Sequence, residues 1–237
     1  MNSKKINMKF FKISICVIAV FFSSAIFAGN EDRAGSAGAT DLLVNPWARS
    51  SAWGSAGISS VNGLEGIFLN VAGLAYAEQT EIQFARTNWM GNISGIGLNA
   101  AGFAQRVGEA GVLGVSFVSM NYGDIEITTT ELPEGGIGYF NPSSINLTLS
   151  YAKKFSSSIS GGMNLKIVSQ SISNVGAQGV AIDAGIRYVT GEQDNIKFAI
   201  SLKNVGPPMS FSGDGLSLDI LNPSTSLSIG ICLLYTS

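Results

Sequence analysis

From residue 81 onward the chain alternates large apolar residues with small or polar ones at a period of two. The clearest run is Ile196-Lys197-Phe198-Ala199-Ile200-Ser201-Leu202-Lys203, where the alternation is unbroken. Val180, Ile182, Ala184, Ile186 and Tyr188 alternate with Ala181, Asp183, Gly185 and Arg187. Ile145, Leu147, Leu149 and Tyr151 alternate with Asn146, Thr148, Ser150 and Ala152. Met163, Leu165 and Ile167 continue the pattern, as do Leu227, Ile229 and Ile231. Successive side chains of a strand point to opposite faces, so each run predicts a strand with one oily face and one polar or small face. Weaker runs at 81–87, 94–103, 111–120 and 124–129 bring the expected set to about ten strands. Turn chemistry separates them at Asn121-Tyr122-Gly123, Pro133-Glu134-Gly135-Gly136, Asn141-Pro142 and Gly191-Glu192-Gln193-Asp194. Tight connections such as Lys154-Phe155-Ser156-Ser157 alternate with long polar ones, the layout of an antiparallel meander.

Upstream the texture changes. Lys4, Lys5, Lys9 and Lys12 precede an apolar run from Ile13 to Phe22 and then Ser23, Ser24 and Ala25. That order reads as a secretory signal peptide, with cleavage expected after Ala28 and, as the next choice, after Ala25. The run is short for a membrane span of about 20 apolar residues. Residues 29–75 form an irregular segment: Pro46, a helix-compatible stretch at 48–56, and Gly54, Gly57, Gly63, Gly66 and Gly73 spaced too closely for a long helix. The expected organisation is a signal at 1–28, an N-terminal segment at 29–75 and a β-region at 76–231. A tail at 232–237, Cys232-Leu233-Leu234-Tyr235-Thr236-Ser237, looks like translated adapter sequence, so the β-region is expected to be incomplete.

Alternation fits a soluble β-protein with an oily interior or a membrane barrel with an oily exterior. Three features favour the membrane. The polar face is rich in Gly, Ser, Ala and Asn rather than Lys and Glu. The longer strands match the ~9–11 residues that cross hydrocarbon at a tilt. The signal places the chain beyond the inner membrane. Composition removes other classes. A net charge of -2 with 13% charged residues lacks the basic stripe of a nucleic-acid binder. The chain has no histidine, which removes the commonest general base and most zinc sites. Cys16 and Cys232 are the only cysteines, one inside the signal and one in the tail, so no disulfide framework or thiolate metal site is expected.

Few residues suggest chemistry. Asp183 and Arg187 share the polar face of one strand, and Lys197 and Lys203 that of the next. They are either a charged lumen site that meets a ligand or a set of mutual ion pairs, and the pairing is preferred because buried charges are seldom left alone. Asp124 with Glu126, and Asp214 with Asp219, lack the oxygen density of a calcium loop. Gly95-x-Gly97 with Gly102 has the wrong spacing for a phosphate loop and is assigned to the interior of a strand. Asn92-Ile93-Ser94 and Asn146-Leu147-Thr148 match a glycosylation pattern only by accident. No catalytic residue, cofactor site or metal site is expected, and no enzymatic activity.

Ala48-Arg49-Ser50-Ser51-Ala52-Trp53-Gly54, followed by Phe68-Leu69-Asn70-Val71-Ala72-Gly73-Leu74-Ala75, resembles the N-terminal region of the FadL-like outer-membrane superfamily. Within it the chain is most similar to the PorV/PorQ family associated with type IX protein secretion. Ser150-Tyr151-Ala152-Lys153-Lys154-Phe155, Ala181-Ile182-Asp183-Ala184-Gly185 with Tyr188, and Leu202-Lys203-Asn204-Val205-Gly206-Pro207 with Met209 carry the likeness, which spans about residues 37–211. Val71 stands where the family has proline; the turn is expected to survive through Asn70 and Gly73. The resemblance implies an all-β, antiparallel transmembrane barrel in the bacterial outer membrane, with about ten of the fourteen FadL strands present here. It also implies a short helical hatch-like segment, with Arg49, Gly54, Asn70, Gly73 and Leu74 in its motif. By the same resemblance, the partners are outer-membrane lipid, secreted cargo with C-terminal β-domains and other type IX secretion components. The loops at 128–141 and 205–214 are candidate contact sites. A FadL-type channel for hydrophobic small molecules and a soluble periplasmic β-protein are the competing expectations.

Overall fold

A computed structural model describes residues 36–90, 95–213, 217–221 and 228–232. The signal peptide, the Asn92-Ile93-Ser94 pattern, Asp214 and the tail beyond residue 232 lie outside the described residues. What is described is mostly antiparallel β-structure: an all-β chain with a few short helices. Among the described residues no helix is long and apolar enough to cross a membrane.

Thirteen strands are numbered in chain order: β1 Ser36–Ala37, β2 Thr80–Asn88, β3 Gly97–Val107, β4 Gly111–Asn121, β5 Ile125–Glu126, β6 Tyr139–Phe140, β7 Ser143–Lys154, β8 Ile159–Ile172, β9 Val175–Thr190, β10 Ile196–Val205, β11 Met209–Ser210, β12 Ser217–Leu221 and β13 Ser228–Cys232. Seven of them form one sheet in the order β10-β9-β8-β7-β4-β3-β2, every neighbouring pair antiparallel. Three short ladders, β1 with β11, β5 with β6 and β12 with β13, stand apart from it. The expected strand at 124–129 is therefore not part of the sheet. Only Ile125 and Glu126 pair, and they pair with β6 inside the connection from β4 to β7. Gly95 lies in the turn before β3 at φ 67° and Gly97 begins the strand, so this pair is a hairpin end rather than a strand interior.

Connections at one end of the sheet are tight: 108–110, 155–158 and 191–195. At the other end lie the β2–β3 connection, the long 122–142 connection and the exit from β10. We call these the turn end and the loop end. Both loops singled out in the sequence, 128–141 and 205–214, leave from the loop end.

The two faces of the sheet differ completely. Outward residues include Phe84 at 79% exposure, Ile200 at 78% and Phe198 at 61%, with Phe117, Leu149, Leu165 and Ile182 among many more exposed apolar side chains. Inward residues are mostly small or polar and buried, among them Ala100, Ala104, Ser116, Thr148, Ser150, Ala152, Ser160 and Asn164, with Leu98, Val112, Met120 and Val168 as larger apolar exceptions. The apolar core therefore lies between this small-residue face and the N-terminal segment. Trp47, Leu64, Ile67, Val71 and Leu74 pack there against Ala100, Ala104, Val112 and Ala152. A second cluster, Leu42, Val168, Ala177 and Met209, sits where β11 folds back on β8 and β9.

The sheet curls around the segment. Glu81 on β2 accepts from Leu64 N at 2.8 Å, and Ser201 on β10 donates to Leu69 O at 3.4 Å. In a flat sheet those two edge strands would be six spacings of about 4.8 Å apart. Residues 64–69 are helical and span only about 10 Å at ~1.5–2 Å per residue. Both edges can hold so short a segment only if the sheet bends towards it.

Candidate functional site

The candidate site is the covered inner face, and each part of it has a local cause in the sequence. Helix α1, Ala48–Ala52, stops at Gly54. Gly54 N donates to Ser51 O at 2.9 Å and Ser55 N to Ser50 O at 3.0 Å, the paired bonds of a Schellman cap. Gly54 has φ 60°, a value that favours glycine. A 3-10 turn, Gly63–Glu65, leads into helix α2, Gly66–Leu69, and a second 3-10 turn covers Val71–Tyr76. Asn70 caps that last turn. Its Oδ1 accepts from Ala72 N at 3.1 Å, and Gly73 N donates to Asn70 O at 2.8 Å. Val71 takes the first helical position, where a proline would also fit.

Three of the five hatch-like residues meet at the centre. Asn70 is buried and its Nδ2 donates to Ile58 O at 3.1 Å and to Ile186 O on β9 at 3.4 Å. Leu74 is fully buried beneath Gly114 of β4. Gly73 backs directly onto the Val61 carbonyl, and a methyl group there would collide with it. The other two are elsewhere: Arg49 and Gly54 are exposed. The motif is thus split, Gly54 acting as a helix stop and Arg49 lining a surface cavity.

Wall glycines accept the segment's side chains. A Cβ at Gly102 would collide with Leu64, and one at Gly185 with the Asn70 carboxamide oxygen. Polar ties complete the seam. Asn164 Nδ2 donates to Ile67 O at 2.8 Å, and Arg187 Nη1 donates to Val61 O at 2.9 Å and Asn62 Oδ1 at 2.7 Å. Near the loop end, Asp41 accepts from Gln170 Nε2 at 2.6 Å and from the Ser144 hydroxyl. Tyr122, just beyond β4, has its phenol held above the ordinary value, by burial first and by the Asp41 carboxylate second.

The expected lumen charges do not pair with one another. Asp183 pairs with Lys166 at 2.7 Å, and both are 3% exposed. Asp183 also accepts from Asn164 Nδ2 and from Asn204 N, each at 2.8 Å, while Lys166 donates to Asn204 Oδ1 at 2.7 Å. This cluster fixes the irregularity in β10, where the register with β9 shifts between Leu202 and Val205. It joins the Ala181–Gly185 and Leu202–Pro207 motifs in space. Arg187 stacks on Tyr76 at 4.3 Å and Lys203 on Phe68 at 4.3 Å, so aromatic rings of the segment take the place of carboxylates. Lys197 is exposed near the turn end of the edge strand, away from the cluster. Sequence reasoning missed Lys166, although it sits on the polar parity of its strand between Leu165 and Ile167.

A cavity of about 360 Å³ opens on the N-terminal segment, lined by Arg49, Trp53, Gly57, Asn62, Glu65 and Leu69 among others. Among the described residues no group of histidine, cysteine, aspartate or glutamate side chains could hold a metal ion. The arrangement defines an antiparallel sheet with an apolar outside whose polar inside is filled by its own N-terminal segment. Compared with protein-family models and with curated proteins, the chain finds a match in neither.

Proposed function

We propose that this chain is an outer-membrane β-barrel protein serving type IX protein secretion, a non-enzymatic component that receives or hands on cargo with C-terminal β-domains. One observation carries the membrane part: the outward face is an apolar band between polar borders. On β9 the band runs from Val180 to Tyr188, with Gln178 and Thr190 as its polar ends. That is about 27 Å along the strand, or about 20 Å of height at a tilt of ~40°. An outer-membrane barrel carries a band of about 25 Å. On β7 the band is Ile145 to Tyr151, bordered by Ser143 and Lys153. In water such a face would be far larger than the apolar patches monomers expose.

Lipid leaves no room for open strand edges. The edges β2 and β10 run in the same direction, because each neighbour in the seven-strand order is antiparallel. Closing the wall with antiparallel pairs alone therefore takes an odd number of further strands. The β12–β13 hairpin would supply two, so at least one more is needed.

The filled inner face supports a role in protein contacts over an open channel for hydrophobic molecules. The secretion role itself rests on the resemblance of the motifs. Two experiments test the reading. Fractionation should recover the protein in the outer membrane, released only by detergent. Deleting the intact gene should leave cargo unsecreted or unanchored. A protein that is soluble without detergent would end the membrane reading, and normal cargo on the surface of the deletion strain would end the secretion reading.

A further inference from the structure

We infer that the cavity on the N-terminal segment binds a small zwitterion of amino-acid size, its ammonium group on Glu65 and its carboxylate on Arg49. Glu65 ends the Gly63–Glu65 turn and is 8% exposed. It lines the cavity, yet its carboxyl group has neither hydrogen-bond nor ion-pair partner among the described residues. The residue is buried but its carboxyl oxygens still reach solvent, so the group is open to a cation entering the cavity.

The serine hydroxyls and the Asn62 carboxamide oxygen around it are already engaged. Ser50 Oγ donates to Trp47 O at 3.3 Å and accepts from Asn45 Nδ2 at 2.8 Å. Ser60 Oγ donates to Gly57 O at 3.4 Å, and Asn62 Oδ1 accepts from Arg187. Arg49 is the opposite charge of the same cavity, exposed at the rim, and it makes no ion pair with Glu65. Two unpaired charges of opposite sign in one cavity complement a molecule that carries both. Trp53 supplies an indole that is 74% exposed, a face for an ammonium or an apolar chain, and Leu69 an apolar wall. The volume of about 360 Å³ equals about a dozen water-sized units of ~30 Å³, enough for a free amino acid. This inference stands apart from the secretion reading, since binding is measured on the purified protein.

The test is calorimetric titration of the full-length protein in detergent with leucine and with 6-aminohexanoate, two zwitterions of different charge spacing. Hexylamine and hexanoate serve as single-charge controls. At least one zwitterion should bind saturably and at least about tenfold tighter than either control. Glu65→Gln and Arg49→Gln should each weaken that binding by about tenfold or more. Arg49 is exposed, so its variant reports even where Glu65→Gln disturbs folding, and an unchanged near-UV spectrum confirms each fold. The inference is overturned by absence of saturable binding for both zwitterions, by controls that bind equally well, or by an Arg49→Gln variant with full affinity.

Discussion

Asp183→Ala is the sharpest test of how the wall is held together. The substitution removes the carboxylate that Lys166 Nζ, Asn164 Nδ2 and Asn204 N all donate to, at 2.7, 2.8 and 2.8 Å. Lys166 is left 3% exposed with one acceptor, Asn204 Oδ1 at 2.7 Å. Removing one partner of a buried ion pair costs about 3–5 kcal/mol, because the remaining charge stays desolvated. An orphaned donor such as Asn204 N adds about 1–3 kcal/mol where water cannot reach it. The acceptor left to Lys166 offsets part of this, so a loss of about 4 kcal/mol is expected.

The double variant Asp183→Leu with Lys166→Met separates charge from structure. It deletes both charges and restores apolar volume, so the remaining cost lies at Asn204, whose N–H loses Asp183 and whose Oδ1 loses Lys166, about 1–3 kcal/mol. Urea unfolding in detergent micelles, followed by Trp fluorescence, reads these differences, since Trp47 lies buried in the core. A strong positive coupling is required: the pair must cost far less than the two single changes added together. An Asp183→Ala variant within about 1 kcal/mol of the parent, or purely additive changes, would refute the buried pair as the lock of the β10 irregularity.

Other consequences are checked in the same system. Gly185→Ala places a methyl group against the Asn70 carboxamide and should cost about 1–3 kcal/mol. Gly97→Ala, which meets nothing within 4 Å, is its near-neutral control. Asn70→Ala removes a cap and the ties to Ile58 O and Ile186 O, for about 2 kcal/mol, and should speed tryptic cleavage at the exposed Arg49. Ile182→Arg, in the middle of the outward band, should lower stability by about 2–4 kcal/mol if that face meets lipid. A solvent-facing site would take the change within about 0.5 kcal/mol, so full membrane recovery and unchanged unfolding of Ile182→Arg count against the membrane reading.

Much of the wall was legible because one strict rule governs it. The runs read from sequence in β7 to β10 alternate with a period of two, and the observed spans contain them. The segment at 124–129 has the same composition but pairs only through Ile125 and Glu126, because its neighbourhood is a loop hairpin rather than a wall strand. Lys166 shares the parity of Asn164 and Val168, so its inward direction could be read. Its partner could not, since Asp183 is reached only through the β8–β9 register that places Asn164 opposite Asp183 and Lys166 opposite Ala181. The roles of Gly54 and Asn70 are local and follow from cap chemistry. The aromatic partners of Arg187 and Lys203, Tyr76 and Phe68, come from a distant irregular segment whose path no periodicity encodes.

The inverted sheet and its filling are one solution to one problem. Curling a sheet crowds the side chains on the inner face and spreads those on the outer face. Ala100, Gly102, Ala104, Gly114, Ser116, Ser150, Ala152 and Gly162 on the inside therefore favour the bend, while Phe, Ile, Leu and Tyr on the outside occupy the widening surface. The bend leaves a space on the concave side of the sheet. The chain fills it with α2 and the Val71–Tyr76 turn, whose backbones press together at Gly66 and Gly73. A larger residue at either glycine would force the segment out of the space, and larger inner residues would flatten the wall. The small-residue pattern thus sets both the curvature and the thickness of what can lie inside it. Because that inner face cannot supply a large apolar core, the apolar residues of the wall are left on its outside.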